Sequence, residues 1–85
     1  MRNEVQSLMS ISVKYFANLR ELIGRSEDKI DFRAGMTVAD IWNQVKGNVR
    51  DSTEYLTALN MEYANNNTIV KDGDEVAFFP KVSGG

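Results

Sequence analysis

The chain contains neither cysteine nor histidine. Without cysteine there is no disulfide, no thiolate nucleophile and no cysteine-ligated metal, and nothing points to an oxidising compartment. Without histidine the commonest general base and metal ligand is missing, so no Ser-His-Asp or Cys-His arrangement can be assembled. Charge is also unconcentrated: ten basic and twelve acidic residues are scattered, giving a net charge of −2. No basic stripe of the kind that neutralises nucleic-acid phosphates is present, so no nucleic-acid partner is expected. No apolar run approaches the ~20 residues of a membrane span, and residues 1–10 lack the apolar stretch of a signal peptide. These absences are read as a cytoplasmic protein with no membrane partner.

What is present suits one small domain. Its 85 residues bury only about 60–65% of the unfolded surface, so the core is modest. The apolar fraction is ordinary for a globular protein, which argues against global disorder. Residues 1–8 show no clear periodicity, and residues 1–10 are expected to form a mobile extension. A folded domain over residues 11–80 and a flexible tail over residues 81–85 are expected to follow.

Ile11 to Phe16 alternates, which predicts a strand with Ile11, Val13 and Tyr15 on one face and Phe16 on the otherwise polar side. Asn18 is expected to cap a short helical turn over residues 19–23 that Gly24 ends. Residues 29–33 alternate again, with Ile30 and Phe32 inward. Thr37 to Gly47 carries the strongest helix signal. Thr37 with Asp40 forms a variant capping box, and Val38, Ile41, Trp42 and Val45 form one apolar stripe. On that stripe Trp42 reads as core rather than a stacking platform. Residues 56–60 are a weakly alternating strand and residues 64–67 a turn. Asn66-Asn67-Thr68 fits a glycosylation sequon but reads as turn composition. Lys71-Asp72-Gly73-Asp74 is a turn whose acids lack the ligand spacing of a calcium loop.

The last strand, Glu75 to Phe79, directs Val76 and Phe78 inward and Ala77 and Phe79 the other way. It runs into Pro80, which lacks an N–H and is poor at continuing a central strand. The order strand, strand, helix, strand, irregular segment, strand fits one amphipathic helix on one face of a small mixed sheet. A right-handed crossover would set the last strand parallel to the first. Phe16 and Phe79 would then lie together on the uncovered face, as a partner surface or beneath loop side chains. The final Gly84-Gly85 can pass through a space too narrow for any other residue, or it can be no more than a frayed end.

Tyr15-Phe16-Ala17-Asn18-Leu19-Arg20-Glu21-Leu22-Ile23-Gly24, taken with the stretch from Asp72 through Phe79-Pro80 to Gly84-Gly85, resembles the MoaD-type sulfur carriers, the small subunits of molybdopterin synthase. The resemblance runs from about Ile11 to Gly85. It departs at Lys81, where a second proline is common, and it is loose over residues 54–67. It implies an α+β, ubiquitin-like β-grasp fold: a mixed sheet with one main helix packed on one face. It implies that Gly85 is adenylated and then thiocarboxylated, and that it donates sulfur to a pterin precursor to form the molybdopterin dithiolene. Gly84 would supply clearance, and Phe16, Arg20, Tyr63, Phe79 and Pro80 would meet the partners. Those partners would be the large subunit of molybdopterin synthase, in a heterotetramer, and an E1-like adenylating enzyme. No cofactor is expected to reside in the chain, because the ATP-derived adenylate and the pterin precursor are handled in partner enzymes. Three other functions remain open: a carrier for thiamine, a tungsten cofactor or sulfur amino acids; a ubiquitin-like modifier; and an interaction module with an inert tail.

Overall fold

The computed structural model describes residues 9–81. Seven elements follow in the order β1 (Ser10–Tyr15), α1 (Ala17–Ile23), β2 (Glu27–Asp31), α2 (Val38–Val45), β3 (Tyr55–Leu59), β4 (Glu62–Ala64) and β5 (Glu75–Pro80). The strands form one sheet in the order β2-β1-β5-β3-β4. β1 and β5 are parallel at its centre, and the other pairs are antiparallel. The long crossover from β1 back to its parallel neighbour carries α2, whose apolar stripe covers one face. This is the β-grasp architecture.

Strand alternation decides what the covered face contains. Ile11, Val13 and Tyr15 of β1 meet Val76 and Phe78 of β5 on that face, and all five are buried. Val38, Ile41, Trp42 and Val45 of α2 close over them. Trp42 is core, as its place on the stripe predicts. It stacks on Tyr55 at 4.1 Å and meets Phe78 edge-on at 5.0 Å. The helix begins with the predicted capping box: the Asp40 N–H donates to Thr37 Oγ1, and the Thr37 N–H donates to Asp40 Oδ2. The chain over residues 65–70 pins the same end, since Thr68 and Asn66 carbonyls accept from the Val38 and Ala39 N–H groups.

Several local expectations are corrected. α1 is not capped by Asn18. Its N-cap is Phe16, which makes no side-chain cap bond, and Ala17 takes a left-handed φ of 54° so that the strand turns directly into the helix. β1 already includes Ser10, and β2 lies two residues earlier than its alternation suggests. β4 was not foreseen. It joins β3 through a two-residue loop, Asn60-Met61, with both φ values positive (51° and 73°), as the tight hairpin turn that matches strand twist requires. Pro80 ends β5 rather than following it. Its pairing is with Tyr55 of β3, while the paired register with β1 stops at Phe78, so the missing N–H falls where the ladder is already one-sided.

Two polar clusters tie the frame together. Asp74 accepts from the Lys71 N–H and from Asn60 Nδ2, Asn60 Oδ1 accepts from the Glu75 N–H, and Asp72 accepts from the Ser10 N–H. These carboxylates are committed to backbone and turn bonds, and the described residues contain no group of side chains able to hold a metal. The second cluster joins the β1–β2 hairpin to the end of α2. Asp28 accepts from the Tyr15 hydroxyl at 2.7 Å and from Arg25 Nε at 2.8 Å, while Arg25 also reaches the Val45 carbonyl. Burial pushes the Asp28 carboxyl upward, but the bonds from Arg25 and Tyr15 outweigh it and hold the pKa below the usual carboxylate value.

A lowered native pKa means that Asp28 contributes stability above the unfolded carboxylate value, near 3.9, and that this is lost as pH falls through the native value. Asp28→Asn keeps the shape and removes the charge, with an expected loss of about 1–2 kcal/mol at pH 7. In urea unfolding, the gap between wild type and variant is expected to close toward pH 3. An equal gap at both pH values would show that the charge is not what stabilises the cluster.

Candidate functional site

The face of the sheet opposite α2 is built in rows by the strand register. Lys14, Ala77, Ala58 and Tyr63 lie side by side across β1, β5, β3 and β4. Phe79 and Leu56 are paired in the neighbouring row, and Phe16 completes it by stacking on Phe79 with ring centroids 4.9 Å apart and planes 9° from parallel. Two alanines at the centre with large side chains around them leave a concavity. The result is a shallow groove of about 350 Å³ with Ala58 and Ala77 as its floor and Phe16, Phe79, Tyr63 and Met61 around it. Glu75 stands at the rim, paired with Lys14 at 3.6 Å.

The groove is apolar and open. Phe16 is 42% exposed, Leu56 40%, Tyr63 82% and Met61 92%. These exposed large side chains share one face of the sheet and are not scattered singly over the surface. The Phe16 and Phe79 rings are stacked on each other, with Phe79 half-buried and Phe16 exposed.

Of the residues singled out in the sequence, Phe16, Tyr63 and Phe79 meet at this groove. Arg20 is exposed on α1 but does not line it, and Pro80 is half-buried at the end of β5. Gly84 and Gly85 lie outside the described residues, as do residues 1–8 of the expected N-terminal extension. Sequence reasoning did not single out Ala58 and Met61 of the groove, nor Leu56 beside Phe79; Ala77 it placed on the Phe79 face without giving it a part. For Leu56 and Ala58 a signal existed, since they are two apart in a strand and so share a face. For Met61 the signal was hidden with the unrecognised hairpin.

β5 ends beside this groove. Phe79 stands on the apolar face and the next residue, Pro80, is the last in the sheet. On the other side of the same point the surface is polar, lined by Lys46, Asp51, Glu54 and Lys81 among others. Among the described residues, no helix is long and apolar enough to cross a membrane. Among the described residues, the arrangement sets the end of β5 next to an apolar face. Among the described residues, the groove lining carries one carboxylate, Glu75, paired with Lys14 at the rim, and one phenol, Tyr63.

Residues 13–85 match the model of the ThiS family. The molybdopterin synthase sulfur carrier subunit of Chlamydomonas reinhardtii is 37% identical over 83 residues, covering 91% of this chain and all of that one. The solved structure of small archaeal modifier protein 1 from Haloferax volcanii superposes with a TM-score of 0.73 at 27% identity, covering 86% of this chain and 98% of that one. A complex of subunits 1 and 2 of the Helicobacter pylori molybdopterin-converting factor contains a chain that superposes with a TM-score of 0.62 at 26% identity, covering 91% of this chain and all of that one.

Proposed function

The chain belongs to the ThiS family, and from that premise we propose that it is the sulfur carrier subunit of molybdopterin synthase, working in the cytoplasm. The observation that carries this reading is an apolar, solvent-open groove at the point where β5 releases the chain toward Gly84-Gly85. The full-length similarity to a carrier subunit of that name supports the pathway, and the neighbour found in a two-subunit complex supports docking on a large subunit.

The chemistry follows from what the chain lacks. With no cysteine or histidine, its one distinctive reactive group is the carboxylate of Gly85. A carboxylate resists nucleophiles, so an E1-like enzyme joins it to AMP from ATP, releasing pyrophosphate. A sulfur donor then displaces AMP and leaves a C-terminal thiocarboxylate. With the groove of the carrier seated on the large subunit, the tail enters that subunit's active site. There the thiocarboxylate sulfur attacks the pterin precursor, and hydrolysis of the acyl–sulfur bond returns Gly85 as a carboxylate. Two such transfers make the dithiolene. Six extended residues from Pro80 reach at most about 20 Å, enough to enter a buried pocket while the domain stays outside. Gly84 gives the clearance that a side chain would deny. Phe16, Tyr63 and Phe79 hold the register, with Arg20 and Pro80 beside them.

Intact-mass analysis tests the reading. Incubated with the adenylating enzyme, ATP and a sulfur donor, the chain is expected to gain about 16 Da, the exchange of oxygen for sulfur at one carboxyl. No gain from a chain whose Gly85 terminus is verified would overturn it. The likeness to an archaeal modifier favours a second reading, in which the activated terminus is joined to lysines of other proteins. High-mass conjugates of the chain in cells would distinguish that outcome.

A further inference from the structure

The two residues of the β3–β4 loop have different occupations. Asn60 is explained by the fold: its φ of 51° is one that asparagine tolerates, its Nδ2 donates to Asp74, and its Oδ1 accepts from the Glu75 N–H. Met61 is not. It holds a φ of 73°, a left-handed conformation that disfavours every residue with a Cβ and that this position in a tight hairpin normally assigns to glycine. The residue is 92% exposed, so its side chain gains almost nothing from packing within the domain. Backbone strain that the fold does not reward is commonly retained at sites where something else rewards it. The same side chain borders the apolar groove with Phe16, Tyr63 and Phe79. Methionine is also well suited to such a place, because its unbranched, polarizable chain adapts to an irregular apolar surface.

We propose that Met61 is a specificity-determining anchor of the docking face, held out by a strained turn so that its thioether enters an apolar depression on the large synthase subunit. The inference rests on the sulfur-carrier reading and deepens it. Phe16 and Phe79 hold each other and are partly covered before docking, whereas Met61 has its whole side chain left to bury. It stands on the hairpin at the far side of the groove floor from the Phe16–Phe79 pair. Two contacts so separated fix the rotation of the carrier on its partner, and with it the direction in which the tail enters.

The distinguishing property is opposite movement of stability and affinity. Met61→Gly in the full chain relieves the strained φ and removes the side chain. Its melting temperature is expected to rise by about 4–8 °C, the shift typical of a small domain on removing strain of this size. Its affinity for the purified large subunit, measured by calorimetry, is expected to fall about tenfold. Met61→Leu keeps the strain and the apolar bulk, and is expected to bind within about twofold of wild type. If Met61→Gly melts higher but binds as tightly as wild type, the turn is merely a strained loop and the proposal fails while the carrier reading stands. If wild-type carrier does not bind the large subunit, the carrier reading fails and takes the proposal with it.

Discussion

Removal of Gly85 is expected to leave a domain that melts as wild type does and acquires no sulfur. The two halves of that expectation have separate grounds. Stability is untouched because, among the described residues, the last ladder contact of the sheet is made by Pro80 with Tyr55, and the core closes on Val76 and Phe78. Loading is abolished because the carboxylate that remains, that of Gly84, no longer reaches the adenylating site. Shortening the tail by one residue draws the carboxylate back by about 3.5 Å, and positioning within a fraction of that distance decides whether an adenylate forms. No cysteine or histidine elsewhere can take over the role. The measurement is intact mass after incubation with the adenylating enzyme, ATP and sulfur donor, alongside a thermal melt. A truncated chain that still gained about 16 Da would show that loading does not depend on Gly85. Replacing Gly84 with valine separates access from chemistry. The terminal carboxylate remains, so a loss of loading there reports the width of the partner's channel.

How far the sequence foretold the structure depends on the range of the interactions concerned. The outward position of Phe16 and Phe79 was legible because strand alternation is local, and their meeting followed once the two strands were taken as parallel neighbours. Thr37 and Asp40 announced the helix start because a capping box is contained in four residues. β4 was hidden for a reason that is also local: the hairpin uses Asn-Met where Asn-Gly would have signalled it, and three residues are too few to show a period. The start of α1 was misread because Phe16 caps it by backbone conformation alone, leaving no polar side chain to recognise. The concavity of the groove was beyond local reading. It depends on Ala58 and Ala77 being cross-strand partners, and register between strands nearly twenty residues apart is decided by the whole sheet. The proposed role of Gly84-Gly85 came from chemistry and resemblance, not from any structural periodicity.

Phe78 and Phe79 are adjacent and chemically identical, and their alanine variants are expected to fail in different ways. Phe78 is fully buried, meeting Trp42 at 5.0 Å and Tyr55 at 5.4 Å edge-on and lying parallel to Tyr15 at 6.4 Å. Truncating it leaves a cavity at the centre of the aromatic cluster, an expected loss of about 3–5 kcal/mol. Small domains have about 5–15 kcal/mol in total, so Phe78→Ala is expected to be largely unfolded at temperatures where wild type is intact. Phe79 points to the opposite face, is half-buried, and has the Phe16 ring as its stacking partner. Phe79→Ala forfeits that pair, about 1 kcal/mol of stability, and is expected to fold. Its cost appears instead in docking, where an aromatic anchor is worth about 2 kcal/mol, or roughly a thirtyfold weaker complex. Urea unfolding of both variants, with calorimetric titration of the large subunit into Phe79→Ala, reads the two effects separately. Unchanged affinity in Phe79→Ala would remove the groove's stacked pair from the interface. A loss of stability in Phe79→Ala as large as in Phe78→Ala would mean that the face opposite α2 is a second core, and that its exposed aromatics are retained for folding and not for a partner.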